Sequence, residues 1–341
     1  MAISDDDPTA SSRKKDHIEM AFKSQIESGQ LDQRFYYEPL LSKHLSIKDI
    51  PSTQFAGKTM KAPLWVSSMT GGTELARNIN THLAKICAEY GLGMGLGSCR
   101  KILSDDTYFE DFNMRPILGD SVPFFANLGI AQIEILIKEN KIHQIKELLD
   151  RLSADGLFVH VNPFQELLQP EGDPFHHAPL TSINTLIEQL DRKIIVKEVG
   201  QGMGPASLKE LMQLPLEGIE FAAAGGTNFS KLELYRGEIE KQTIFDGLTK
   251  IGHTAEEMVY FVNQLLEELG DQAKVKNYII SGGVKNFLDG YYLINKLEAN
   301  AIFGQASGFL KYAVEGYEAV KAYTEAQLKG YAIAQAYLKV K

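Results

Sequence analysis

The stretch HVNPFQELLQPEGD, His160 to Asp173, gathers His, Asn, Gln, Glu and Asp side chains behind an apolar run, Gly156 to Val159. It contains no Ser, Cys or Lys, and so offers neither an obvious nucleophile nor a strong proton donor. Glu166, beside His160, Asn162 and Gln165, suits Mg²⁺, which is commonly held by one or two carboxylates while substrate phosphates and water complete the octahedron. The structural alternative is that Glu166 caps the following turn. Gln165 exchanges no proton near neutral pH and can only position a reacting group. His160 and Asn162 add neutral donors.

Cations that could meet a diphosphate occur twice. Ser98-Cys99-Arg100 follows a glycine-rich apolar run, and Arg13, Lys14 and Lys15 are followed by His17 in RKKDHIEMAF. Arginine offers a planar fork of donors matched to phosphate oxygens. The plainer reading of the second cluster is a solvated helix start. Phosphate chemistry is also written in glycine: Gly225-Gly226-Thr227, Gly282-Gly283 and Gly304-Gln305-Ala306 close three late apolar runs. There the backbone can approach an anion at a helix N-terminus. Lys197 stands alone among apolar residues in IIVKEVG. A charge buried there needs a partner, either a carboxylate or the electron-rich N1/C2=O edge of a reduced flavin. Asn127 in FFANLG and Thr70 in SSMTGG could hydrogen-bond such a ring.

Apolar, β-rich runs must position these groups, and they recur at 63–69, 93–98, 123–129, 156–162, 193–199, 218–226, 278–284 and 301–306. Helical periodicity lies between them, as in 74–90 and 142–154. Strands alternating with helices give βαβ units, and strands apolar on both faces give a buried parallel sheet. Some eight units fit a (β/α)8 TIM barrel, whose chemistry sits at the C-terminal strand ends. The competitor, a doubly wound open sheet, would carry GxGxxG at its first turn to bind a dinucleotide, and none is there. The interval from Gly226 to Tyr278 is long enough to hold an insertion. Residues 1–12 read as a disordered tail, 13–60 as an N-terminal arm on a single domain spanning 13–341, and 308–341 as one long C-terminal helix covering the barrel or an oligomer interface.

The net charge of −9, from 35 Lys+Arg against 44 Asp+Glu, speaks against nucleic-acid or anionic-membrane binding. Two cysteines, Cys87 and Cys99, make neither a metal knuckle nor a disulfide framework, the usage of a reducing compartment. The N-terminus has no secretory apolar region. No apolar run approaches the roughly 18 residues that cross a bilayer. A soluble, cytoplasmic protein is expected.

The assembled motifs RKKDHI, SMTGG, GLGMGLGSCR, ANLG, HVNPFQELLQPEGD, VKEVGQGM, AGGTNF, SGGV and GQA are collinear from residue 13 to about 310. In this order they resemble the type 2, flavin-dependent isopentenyl-diphosphate isomerases. The resemblance implies a (β/α)8 barrel that interconverts isopentenyl and dimethylallyl diphosphate, using reduced FMN, NADPH to prime it, and Mg²⁺. By the same resemblance, Arg13, Lys14, His17, Ser98, Arg100, His160, Asn162 and Gln165 contact substrate, and Glu166 ligates Mg²⁺. Ser68, Met69, Thr70, Ser98, Asn127, Lys197, Thr227, Gly282, Gly283, Val284, Ala306 and Ser307 hold FMN. A homo-oligomer, tetramer or octamer, is implied as well. Two positions depart from the family pattern: Cys99 stands where Gln is common, and Ala222 where Ser is.

Isomerisation adds one proton to an alkene carbon and removes another, through carbocation character that calls for a close acid in a dry pocket. No motif side chain meets that demand. The family resemblance implies that the reduced flavin is the acid/base and Gln165 a positioner. Two alternatives are an FMN-dependent oxidoreductase of the 2-hydroxyacid oxidase type and a noncatalytic flavin-binding barrel.

Overall fold

The computed structural model describes residues 10–68 and 74–341. Eight parallel strands close into a barrel: β1 Leu64–Val66, β2 Gly93–Gly95, β3 Phe124–Gly129, β4 Gly156–His160, β5 Lys193–Lys197, β6 Gly218–Glu220, β7 Asn277–Ile280 and β8 Asn300–Gln305. Each expected apolar run contributes one strand. Closure pairs Phe303, Gly304 and Gln305 of β8 with Leu64, Trp65 and Val66 of β1. Seven of the eight strands are shorter than their runs, and on β6 and β7 the alanine and glycine tails leave the ladder as loops. On β6 the ladder stops at Glu220, and Ala222 then takes a left-handed φ of 43°.

The barrel interior is a dry layer built from Trp65, Phe125, Phe158, Ile195, Ile279 and Ile302. Trp65 meets Phe125 and Phe158 edge-on at 6.1 and 5.9 Å between ring centroids, the geometry aromatic quadrupoles favour. Gly93 makes room for this ring, since a Cβ there would lie 2.1 Å from it. An antiparallel hairpin, Thr53–Phe55 with Lys58–Met60, packs Phe55 and Met60 into the same layer. A second, larger core lies between strands and surrounding helices, among them Glu74–Tyr90 and Ile142–Leu152, which form where periodicity placed them.

The expected insertion is present as helices Phe229–Arg236 and Ile239–Phe245, ahead of the helix Ala255–Leu269. Two expectations need correction. A helix spans Ala10–Met20, so residues 10–12 are helical; residues 1–9 lie outside the described residues. The C-terminal extension is two helices, Ser307–Glu315 and Tyr317–Tyr337, separated by Gly316 at φ 136°, and then a strand, Leu338–Val340. That strand pairs antiparallel with Phe35–Tyr37. Arg34 anchors the join through Asp32 and Asp289, at 2.7 and 2.8 Å.

Candidate functional site

The C-terminal ends of β1 and β5 to β8 surround a cavity of about 280 Å³ lined by Ser68, Lys197, Thr227, Gly282, Gly283, Val284, Ala306 and Ser307. These eight were all expected to hold FMN. Gly282 and Gly283 have φ of 85° and 72°, and Cβ atoms on them would lie 2.1 and 2.9 Å from the Ala223 and Ala224 carbonyls. Only glycine fits that bend without strain. Ala306 and Ser307 open the helix Ser307–Glu315, whose first-turn N–H groups and dipole favour an anion. Met69 and Thr70 lie outside the described residues.

Lys197 is buried, and its Nζ donates to the Glu198 carbonyl at 2.7 Å. Among the described residues no carboxylate forms an ion pair with it, so its charge remains available to a ligand. Two buried polar atoms at this cavity have no hydrogen-bond partner among the described residues, Ser68 Oγ and Glu220 Oε2. Unpaired lining atoms, a glycine-shaped cradle and a buried cation together fit a flat heterocycle bearing a phosphate, as FMN does.

The second half of the site follows β4. The amide of Asn127 donates through Nδ2 to the Leu96 carbonyl at 3.0 Å, which turns its Oδ1 toward His160 Nδ1 at 2.8 Å. The His160 proton therefore sits on Nδ1 and Nε2 carries a lone pair. Burial, reinforced by the Lys197 charge, holds its pKa down at about 3. Expected as a neutral donor to substrate, His160 presents an acceptor at Nε2 in this arrangement.

Asn162 donates through Nδ2 to both Gln165 Oε1 and Glu166 Oε1 at 3.0 Å, and its own buried Oδ1 has no partner among the described residues. The one-and-a-half-turn helix Pro163–Leu168 thus presents Gln165 and Glu166 from a single buried amide. Glu166 Oε2 also accepts the Asp173 N–H at 2.9 Å, the capping role weighed against metal ligation. Gly172 is required at this closure, since a Cβ would meet the Glu166 carbonyl at 1.8 Å. Asp173 in turn pairs with Arg100 at 2.8 Å. Gln165 Nε2 donates to Glu233 Oε1 at 3.4 Å, and Glu233 is buried and paired with Arg236 at 2.5 Å.

Ser98 is exposed, while Cys99 is buried, its N–H bonded to the Asn127 carbonyl at 2.8 Å and its thiol pushed up to about 12 by burial. It is a packing residue, not a nucleophile. Arg13, Lys14 and His17 lie on the exposed helix Ala10–Met20 and line neither this cavity nor a larger one of about 560 Å³. That larger cavity lies between the helices Pro179–Gln189 and Pro205–Met212, with walls such as Leu180, Ile183 and Met203. None of the expected residues faces it; Ser98, Arg100, Asn127, His160, Asn162, Gln165 and Glu166 line neither cavity.

Sequence reasoning missed Glu220, Glu233 and Asp173. Glu220 carried the same signal as Lys197, a charge on an apolar strand. Glu233 lies in the insertion and nothing in its neighbourhood marks it.

A closed parallel barrel with its polar, glycine-lined cavity at the C-terminal mouth defines a TIM-barrel protein. No protein-family model matches the chain. Isopentenyl-diphosphate delta-isomerase of Rickettsia peacockii (strain Rustic) is 33% identical over 308 residues, covering 88% of this chain and 85% of that protein. The enzyme of the same name from Rickettsia prowazekii (strain Madrid E) is 34% identical over 306 residues, with the same coverage. The chain belongs to the isopentenyl-diphosphate delta-isomerase family. Among solved structures, the flavin-binding domain of Baker's yeast flavocytochrome b2 is similar at a TM-score of 0.59 and 14% identity, covering 89% of this chain and 72% of that one. A mandelate oxidase mutant with a monooxide FMN adduct gives 0.54 at 10% identity, covering 91% and 88%. These two likenesses describe the barrel alone.

Proposed function

We propose that this isomerase interconverts isopentenyl and dimethylallyl diphosphate with FMN in the glycine-lined cavity, Mg²⁺ at Glu166, and NADPH as the priming reductant. The observation that carries the reading is the meeting, at one barrel mouth, of a glycine-lined cavity holding Lys197, which forms no ion pair among the described residues, with the Asn162–Gln165–Glu166 cluster. Reduced FMN, when bound, supplies the acid and base for the two proton transfers. Ser68, Ser98, Asn127, Lys197, Thr227, Gly282, Gly283, Val284, Ala306 and Ser307 hold it, joined by Met69 and Thr70. Lys197 neutralises charge on the reduced ring.

Arg100 and Ser98 receive the diphosphate, with Arg13, Lys14 and His17 brought by the arm; His160 and Asn162 join them once their N–H groups exchange Asn127 and the Gln165–Glu166 pair for substrate oxygens. Among the described residues no cluster of three His, Cys, Asp or Glu side chains converges. A cation here would therefore take Glu166 with substrate oxygens and water, as Mg²⁺ does. Gln165, held between Asn162 and Glu233, fixes the alkene's orientation. The exposed Ile18, Phe22, Ile26, Leu40 and Leu41 of the arm support a homo-oligomer, tetramer or octamer, and the cysteine usage supports a cytoplasmic enzyme.

The test is an anaerobic NMR assay for dimethylallyl diphosphate with chemically reduced FMN, Mg²⁺ and no nicotinamide. Product is expected from the unmodified protein and loss of product from Gln165→Leu with FMN binding retained. Absence of product from the unmodified protein sinks the reading. A 2-hydroxyacid oxidase would use a His base and an Arg gripping a carboxylate; Arg100 faces Asp173 instead.

A further inference from the structure

Glu220 ends β6 with 1% of its surface exposed and forms part of the wall of the 280 Å³ cavity. Its Oε1 accepts both nearby hydroxyls, Ser67 Oγ at 2.7 Å and Ser281 Oγ at 2.9 Å. The Ser281 hydroxyl itself accepts the Ala222 N–H at 3.0 Å, so its single proton is committed to the carboxylate. Oε2 has no partner among the described residues. A buried polar group left bare costs about 1–3 kcal/mol, and more when charged, so this oxygen calls for a donor that comes with a ligand. Lys197 stands opposite in strand register, yet it bonds the Glu198 carbonyl rather than this carboxylate.

We propose that Glu220 Oε2 accepts a hydrogen bond from a ring N–H of the ligand, and that Glu220 and Lys197 together read an edge on which C=O and N–H stand side by side. The proposal rests on the reading that FMN fills this cavity. The pyrimidine edge of the isoalloxazine ring carries C2=O beside N3–H, which needs one donor and one acceptor as neighbours. Adjacent parallel strands supply them roughly 5 Å apart, a spacing suited to hydrogen bonds that fan out from neighbouring ring atoms. The carboxylate also sets polarity along the cavity: it repels phosphate from the barrel floor and leaves the Gly282–Gly283 and Ser307 end for that group. Glu220 is thus a positioning and specificity residue for the cofactor.

The experiment uses the full chain with two probes, FMN and N3-methyl-FMN, and reads dissociation constants and the midpoint potential of the bound flavin. The unmodified protein is expected to bind N3-methyl-FMN about tenfold or more weakly than FMN, equivalent to about 1.4 kcal/mol. In Glu220→Gln that preference falls to near unity and the potential rises, because a negative charge beside the reduced, anionic ring is gone. Where Glu220→Gln does not fold, Glu220→Asp serves: it keeps the charge and withdraws the acceptor, so the preference falls while the potential holds. Equal affinity for both flavins in the unmodified protein overturns the proposal, as does a folded Glu220→Gln with unchanged preference and potential. Failure of the unmodified protein to bind FMN at all overturns the flavin reading itself, and this proposal with it.

Discussion

Asn127→Ala isolates what orients His160. The Asn127 amide spends Nδ2 on the Leu96 carbonyl and Oδ1 on the His160 ring, at 3.0 and 2.8 Å, in a setting where Asn127 is 4% exposed and Leu96 fully buried. Truncation removes both bonds at once and leaves a carbonyl and an imidazole N–H without these partners. At about 1–3 kcal/mol for each stranded group, the loss is about 2–6 kcal/mol, a large part of a typical folding free energy. Urea unfolding measures it as a lower midpoint at unchanged slope. Imidazole ¹⁵N shifts measure the second consequence: the proton, confined to Nδ1 in the unmodified protein, distributes between both nitrogens. A loss below about 1 kcal/mol, or a ring that keeps its Nδ1 tautomer, would show that the amide does not govern His160 and refute the reasoning.

Other outcomes follow from the same contacts. His160, at about 3 when folded against 6.5 unperturbed, binds its proton first in the unfolded chain. Its contribution is therefore intact above pH 6.5 and lost as pH falls through the window down to about 3, by up to ~1.4 kcal/mol per unit. Denaturation midpoints compared across that window should fall less steeply in His160→Gln. Gly282→Ala places a Cβ 2.1 Å from the Ala223 carbonyl at φ 85°. Left-handed strain of about 1–2 kcal/mol and displacement of the loop should lower the melting temperature and weaken FMN binding, read by flavin fluorescence. Arg100→Lys should leave stability within about 0.5 kcal/mol, because the Arg100–Asp173 pair is half exposed on the arginine side (53%). It should raise KM for the diphosphate more than it lowers kcat, as the fork of donors is lost.

The barrel was legible because eight β-rich runs buried on both faces alternate with helices and no GxGxxG turn marks the open-sheet alternative, and each of the eight runs holds a strand. Where each strand stops was not legible. Periodicity follows apolar character, and AAAGGT continues that character after Ala222 has already turned the backbone over. The cavity glycines were legible as a set, since close approach to an anion needs glycine in a pattern. Glu166 shows a limit of the motif: its loop-closing bond to Asp173 lies seven residues downstream, in a segment read only as loop architecture. Gln165 meets Glu233 across 68 residues, a pairing that depends on how the insertion folds back over the mouth. The break at Gly316 was visible in VEGYEAV but was overruled by the alanine- and lysine-rich helical composition around it.

The antiparallel pairing of Phe35–Tyr37 with Leu338–Val340 joins residues some 300 positions apart, and Lys341 N–H closes it on the Arg34 carbonyl at 3.0 Å. Three residue pairs cannot offset the closure entropy of so long a flexible loop. The two segments meet because Tyr291, on the helix Phe287–Lys296, holds the Leu338 carbonyl at 2.9 Å and the barrel has already brought the ends together. Such a contact of high sequence separation belongs late in folding. The arm bearing Arg13, Lys14 and His17 is thus held both by its hairpin of Thr53–Phe55 with Lys58–Met60 and by this pairing, and amide exchange in residues 35–37 would report from outside the core whether the chain's ends are joined.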